Sequence, residues 1–143
     1  MSTLKVTNVA HETSTLNTLV FDNGGGSGNG RVTTKGTIGE ISAVSYASTI
    51  TLDFRTANNF SMTLTGNTTI ANPSNISAGQ SGVLFITQDG TGSRTIGTYN
   101  GTYKFAGGAA PTLTTTANAR DILVFISDGT NLREIGRSLN VPT

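Results

Sequence analysis

Ile122-Leu123-Val124-Phe125-Ile126, the most apolar stretch of the chain, runs through Ser127 into Asp128-Gly129 and emerges through Leu132 towards Ile135. Five consecutive branched or aromatic residues suit a β-strand. An Asp-Gly pair followed by further apolar residues marks the turn of a hairpin. The returning strand alternates badly, with Arg133, Ile135 and Arg137 on one face, which predicts an edge strand or one lying against another subunit. Val83-Leu84-Phe85-Ile86 is the other unbroken apolar run, and its character implies a central strand buried on both faces. Phe125 is expected in the core beside Phe85, so that truncation to Ala costs about 3–5 kcal/mol.

Outward from these two runs the pattern remains one of short strands. Ile50, Leu52 and Phe54 share one face of Thr49–Phe54, and Phe60, Met62 and Leu64 share one face of Phe60–Leu64. Period-2 alternation on both sides of Thr56–Asn59 predicts a hairpin. A strand at Thr68–Ile70 follows Gly66-Asn67, and Ser77–Gly82 reads as a loop. Asn100-Gly101 separates Thr98-Tyr99 from Thr102-Tyr103 in the manner of a two-residue hairpin, which puts Tyr99 and Tyr103 on opposite faces of a surface ribbon. Ile38, Ile41, Val44 and Tyr46 indicate one or two irregular strands. Seven to nine strands with frequent turns predict an all-β fold, an antiparallel β-sandwich or jelly roll.

The N-terminal portion differs. Leu4 to Val9 alternates, Leu19-Val20-Phe21 is apolar, and Asn23–Gly30 has too few side chains to pack. The expected organisation is an N-terminal arm and Gly-rich linker over residues 1–30 and a β-sandwich domain over 31–143. With apolar faces but no core of its own, the arm is expected to dock on a partner through Leu4, Val6, Val9, Leu19, Val20 and Phe21.

Thr, Ser, Asn and Gly supply 70 of the 143 residues, so strands and tight turns are favoured over helices. Charged residues make up only 12% of the chain and the net charge is +1, which gives no basic stripe for nucleic acid. The first ten residues lack the apolar core of a secretory signal, and no run of about 18 apolar residues occurs, so no membrane insertion is expected. The absence of cysteine removes disulfides and thiolate metal sites. A neutral surface of hydroxyls and amides repels its own copies weakly and suits close packing.

Catalysis needs convergent groups, and the supply here is a single histidine, His11 in the arm, with eight scattered carboxylates. Neither a triad nor a glycosidase carboxylate pair is indicated, and no enzymatic activity is expected. Gly24–Gly30 lacks the Gly-Lys-Ser/Thr of a phosphate loop and occurs once, unlike a calcium-binding nonapeptide repeat. Asp128-Gly129-Thr130-Asn131 with Glu134 offers oxygen donors, yet a plain turn accounts for them. No metal or cofactor is expected. Four glycosylation sequons, at Asn59, Asn67, Asn75 and Asn100, match chance in so Asn- and Thr-rich a chain. Tyr46, Tyr99 and Tyr103 are the aromatic residues that could meet a partner such as a host surface glycan. Tyr99 and Tyr103, on the predicted surface hairpin, are the candidate binding residues, with strand packing as the alternative role.

Phe60–Ile70, Ala78-Gly79-Gln80-Ser81-Gly82, Ile86–Thr95, Lys104–Gly108 and Pro111–Ala119, taken in order, resemble a module of tailed-bacteriophage structural proteins that often stands at the C-terminal end of fibre-like or virion-surface proteins. The similarity spans residues 49–138, and Met1–Val6 also looks like the start of such proteins. The resemblance implies a virion protein, made in the host cytoplasm, that works by assembly. From chain length and the short arm, the expected role is capsid decoration, a cement or head-fibre protein bound to the major capsid protein. The alternative is a short tail fibre or receptor-binding adhesin joined to a tail protein. A polysaccharide-degrading spike is the third reading. The resemblance also implies a homotrimer.

Overall fold

The computed structural model describes residues 39–142. The predicted arm, its linker and the first residues of the predicted domain, including His11 and the six proposed docking residues, lie outside the described residues.

The described chain forms nine strands: β1 (Ile41–Val44), β2 (Thr49–Ile50), β3 (Asn59–Leu64), β4 (Thr68–Ile70), β5 (Ser81–Gln88), β6 (Ile96–Tyr99), β7 (Tyr103–Lys104), β8 (Arg120–Ser127) and β9 (Leu132–Val141). A short 3-10 turn occupies Ala106–Gly108. The all-β reading therefore holds. The antiparallel reading does not. One sheet has the order β1-β3-β5-β8-β9-β7, the other β2-β4-β6. β1, β3 and β5 run parallel, as do β2, β4 and β6. The first six strands alternate between the sheets, so the chain winds from one to the other and stacks each new strand beside the last but one. Antiparallel pairing begins where β8 joins β5 and β9 joins β8.

This winding corrects two predicted hairpins. Strands β2 and β3 belong to different sheets and do not pair, and the same is true of β6 and β7. The turn chemistry at Thr56–Asn59 and Asn100-Gly101 reverses the chain but delivers it to the opposite sheet. The terminal hairpin is present as read: Asp128 N–H donates to the Asn131 carbonyl, and Gly129 takes φ +92°, a conformation that side-chain-bearing residues rarely adopt. Irregular pairing at Val124/Phe125 explains the poor alternation of β9.

Both sheets contribute to one core. Leu52 and Phe54 follow β2 and, with Ile50, are buried; so are Phe60, Met62, Leu64, Ile70, Leu84, Ile86, Leu123, Phe125 and Leu132. The predicted phases of Ile50–Phe54 and Phe60–Leu64 are thus observed. β5 is central, between β3 and β8, but is buried on one face only: Leu84 and Ile86 point inward while Val83 and Phe85 are half-buried on the outside. Phe125 is opposite Gly82, whereas Phe85 is opposite Ile122, so the two phenylalanines occupy opposite faces. The expected Phe85–Phe125 contact is absent for that reason.

Candidate functional site

The C-terminal strands gather four aromatic rings. Tyr99 meets Tyr103 and Phe105 edge-on at centroid distances of 5.8 and 4.9 Å, and Phe125 meets the same two at 5.7 and 6.0 Å. Each ring presents an edge to its neighbour's face, the favoured aromatic geometry. Tyr103 is only 5% exposed and Tyr99 packs partly buried against the core. These two residues, expected on a surface ribbon, are thus inside the fold, because β6 and β7 converge from different sheets instead of pairing. Both phenol oxygens are buried with no hydrogen-bond partner among the described residues. Burial pushes both phenols well above their ordinary range; for Tyr99 it acts foremost, followed by Tyr103 and the carboxylates of Asp121 and Glu134.

The carboxylates are committed to holding loops. Asp53 accepts from Asn75 Nδ2 at 2.6 Å and from Arg55 N–H at 2.9 Å. Asp89 accepts from Thr91 and Gly92 N–H and pairs with Arg94 at 2.9 Å. Buried Asp121 takes the N–H groups of Thr114 and Asn140. Asp128 accepts from Asn131 and Thr130 N–H and pairs with Arg133; these contacts, the Asn131 N–H foremost, lower the pKa of its carboxyl to about 2. Glu134, turned to Arg137 and to Ala106 N–H, braces the 3-10 turn, so Asp128 and Glu134 do not converge on a shared ligand. Among the described residues there is no cluster of three or more His, Asp or Glu placed to hold a metal ion. None of their helices is long and apolar enough to cross a membrane.

The outer face of the six-stranded sheet has no covering layer among the described residues. Cross-strand register lays its side chains in rows. Thr63, Thr87 and Arg120 form one row across β3, β5 and β8; Ala43, Ser61, Phe85 and Ile122 form the next. At the β1 end a shallow depression of about 420 Å³ is lined by Tyr46, Ser61, Thr63, Thr65, Thr87 and Arg120 among others. A second of about 200 Å³ adjoins it through Ser61, Thr87 and Arg120 and reaches Phe85 and Ile41.

Tyr46 is 39% exposed, and its hydroxyl donates to the Asn67 carbonyl at 3.1 Å. Its ring lies across Gly66, where a Cβ would come within 2.9 Å of Tyr Cζ. The loop that carries it is tied to β4, since Thr68 Oγ1 donates to the Ala47 carbonyl at 2.7 Å and Thr69 N–H to the Ser48 carbonyl at 3.0 Å. Arg120 donates from Nε to Thr87 Oγ1 at 3.3 Å and makes no ion pair among the described residues. Of the aromatic candidates, Tyr46 is therefore the exposed one, and sequence reasoning did not single out Arg120. Its phase could have been read: Arg120 stands at even spacing from Ile122, Val124 and Ile126, so all four share the outward face.

Residues 44–132 match a family model described as a putative phage tail fibre C-terminal domain. No curated protein matches the sequence.

Proposed function

The chain belongs to the phage tail fibre C-terminal domain family and is a structural component of the virion, and from that premise we propose that it is the outward-facing domain of a tail fibre or adhesin. The match over residues 44–132 carries this reading, because it covers both sheets from the end of β1 to the first residue of β9. It favours the tail-fibre alternative over capsid decoration, which was expected from chain length and which nothing in the match supports. Immunogold labelling of purified particles tests it: label at the tail tips is expected, and label spread over the head would restore the decoration reading.

In this proposal the protein acts by binding and association, without catalysis, cofactor, nucleic acid or membrane insertion. Its described carboxylates are all engaged in loop contacts apart from exposed Glu40. Association with its own copies is supported by the exposed apolar side chains of β9, and we propose a homotrimer. There β7 covers only Leu132 and Arg133, while Ile135 and Leu139 further along are 61% and 41% exposed. Light scattering is expected to give a trimer mass, and a monomer at micromolar concentration would refute this. The arm, through Leu4, Val6, Val9, Leu19, Val20 and Phe21, is proposed to join the domain to another virion protein, with assembly following synthesis in the host cytoplasm.

A further inference from the structure

We infer that the outer sheet face between Tyr46 and Arg120 binds an anionic saccharide, a sugar bearing a carboxylate or a phosphate.

Three independent features converge there. The first is a cation with no counter-charge among the described residues. Arg94, Arg133 and Arg137 each pair with a carboxylate, and Arg55 donates to the Asn75 side chain away from this face; Arg120, partly buried and lining both depressions, spends one N–H on a threonine hydroxyl. A guanidinium carries five donors in a planar fork that matches a carboxylate or phosphate, and partial burial raises the benefit of pairing. The second is a ring held in place. Tyr46, 39% exposed and lining the depression, is fixed by its hydroxyl, by its closeness to Gly66 and by a loop hydrogen-bonded to β4, so an aromatic ring is presented there without the cost of ordering it. The apolar C–H face of a pyranose fits such a ring. The third is the lining between them: hydroxyls of Ser61, Thr63, Thr65 and Thr87, which both donate and accept as sugar hydroxyls require.

Shape and charge select the occupant. The larger depression falls in the roughly 300–1,000 Å³ range of small-ligand sites, but it is open and shallow, which suits a chain lying along a surface. A second copy of this domain is a poorer fit, since its described carboxylates are tied down by internal hydrogen bonds and ion pairs, leaving exposed Glu40 as the one without such contacts. As a host receptor contact the inference rests on the tail-fibre reading; the site itself stands on the residues named.

The test is calorimetric titration of the full chain with a tetrameric hexuronate, a hexose phosphate, a neutral tetrasaccharide and inorganic phosphate. Both anionic sugars are expected to bind, the neutral one about tenfold or more weakly, since hydrogen bonds to a charged group contribute about 1.5–3 kcal/mol. Binding of only one anionic sugar assigns the source as carboxylate or phosphate. Arg120→Gln should bring the anionic sugars down to the neutral level, and Tyr46→Ala should weaken all three sugars. Thr87→Glu, which supplies the missing counter-charge, gives a second route to the same loss if Arg120→Gln does not fold. Equal binding of neutral and charged sugars, equal binding of inorganic phosphate and sugar phosphate, unchanged binding in Arg120→Gln, or no binding at all would each overturn the inference. Binding retained by a protein absent from the tail would instead sink the fibre reading and leave the site.

Discussion

Replacing Tyr103 by Phe should make this protein more stable, the reverse of the usual result for a buried tyrosine. The ring is 5% exposed and its oxygen has no partner among the described residues. A buried hydroxyl left unpaired costs about 1–3 kcal/mol, and Phe keeps the ring contacts to Tyr99 and Phe125 while removing the oxygen. The expected gain is at least about 1 kcal/mol, which for a domain of this size raises Tm by about 4–8 °C. Tyr99→Phe should act in the same direction and more weakly, because that residue is only partly buried. The same burial has a signature at high pH. Both phenols are raised in the fold above the ~10 of an unfolded chain, so their contribution is intact below pH 10 and is lost as pH rises further and the unfolded state ionises first. Thermal melts by circular dichroism at pH 7 and at pH 10–11 measure both effects, and the Tyr99→Phe/Tyr103→Phe double variant should lose most of the alkaline sensitivity. If Tyr103→Phe were destabilised by about 1 kcal/mol or more, the hydroxyl must have a partner, and the reasoning fails.

Phe125→Ala should lose about 3–5 kcal/mol in chemical denaturation, while Phe85→Ala on the half-buried outer face should lose clearly less; similar losses would contradict the assignment of faces. Asp128, held at about 2 by the Asn131 and Thr130 N–H groups and Arg133, contributes stability that is present above pH ~4 and disappears as pH falls towards 2. Asp128→Ala should be less stable at pH 7 and show a flatter acid melt over that interval. Deleting residues 1–22 should leave a folded β-domain by circular dichroism that no longer enters particles; normal incorporation would remove the proposed role of the arm.

Local chemistry made much of this protein legible in its sequence. The alternation of Ile50, Leu52 and Phe54, and of Phe60, Met62 and Leu64, identified core positions because strand side chains alternate faces whatever the strand pairs with. Asp128-Gly129 marked its turn because an Asp that caps the following N–H groups and a Gly free to take positive φ bend the chain locally. Partner choice was not legible. Parallel neighbours such as β3 and β5 are about a turn of the winding apart and share no local signal, whereas a hairpin announces itself by its turn, so adjacency in sequence was mistaken for adjacency in the sheet. Every later misplacement follows from that. Tyr99 and Tyr103 became interior because their strands enter different sheets, and Phe85 faces away from Phe125 because register, set by the packed whole, decides which residues share a face. The outward row of Thr63, Thr87 and Arg120 exists for the same reason: three strands distant in the chain are brought side by side, and only their pairing puts a guanidinium without an ion pair among the described residues next to the hydroxyls and near the ring of Tyr46.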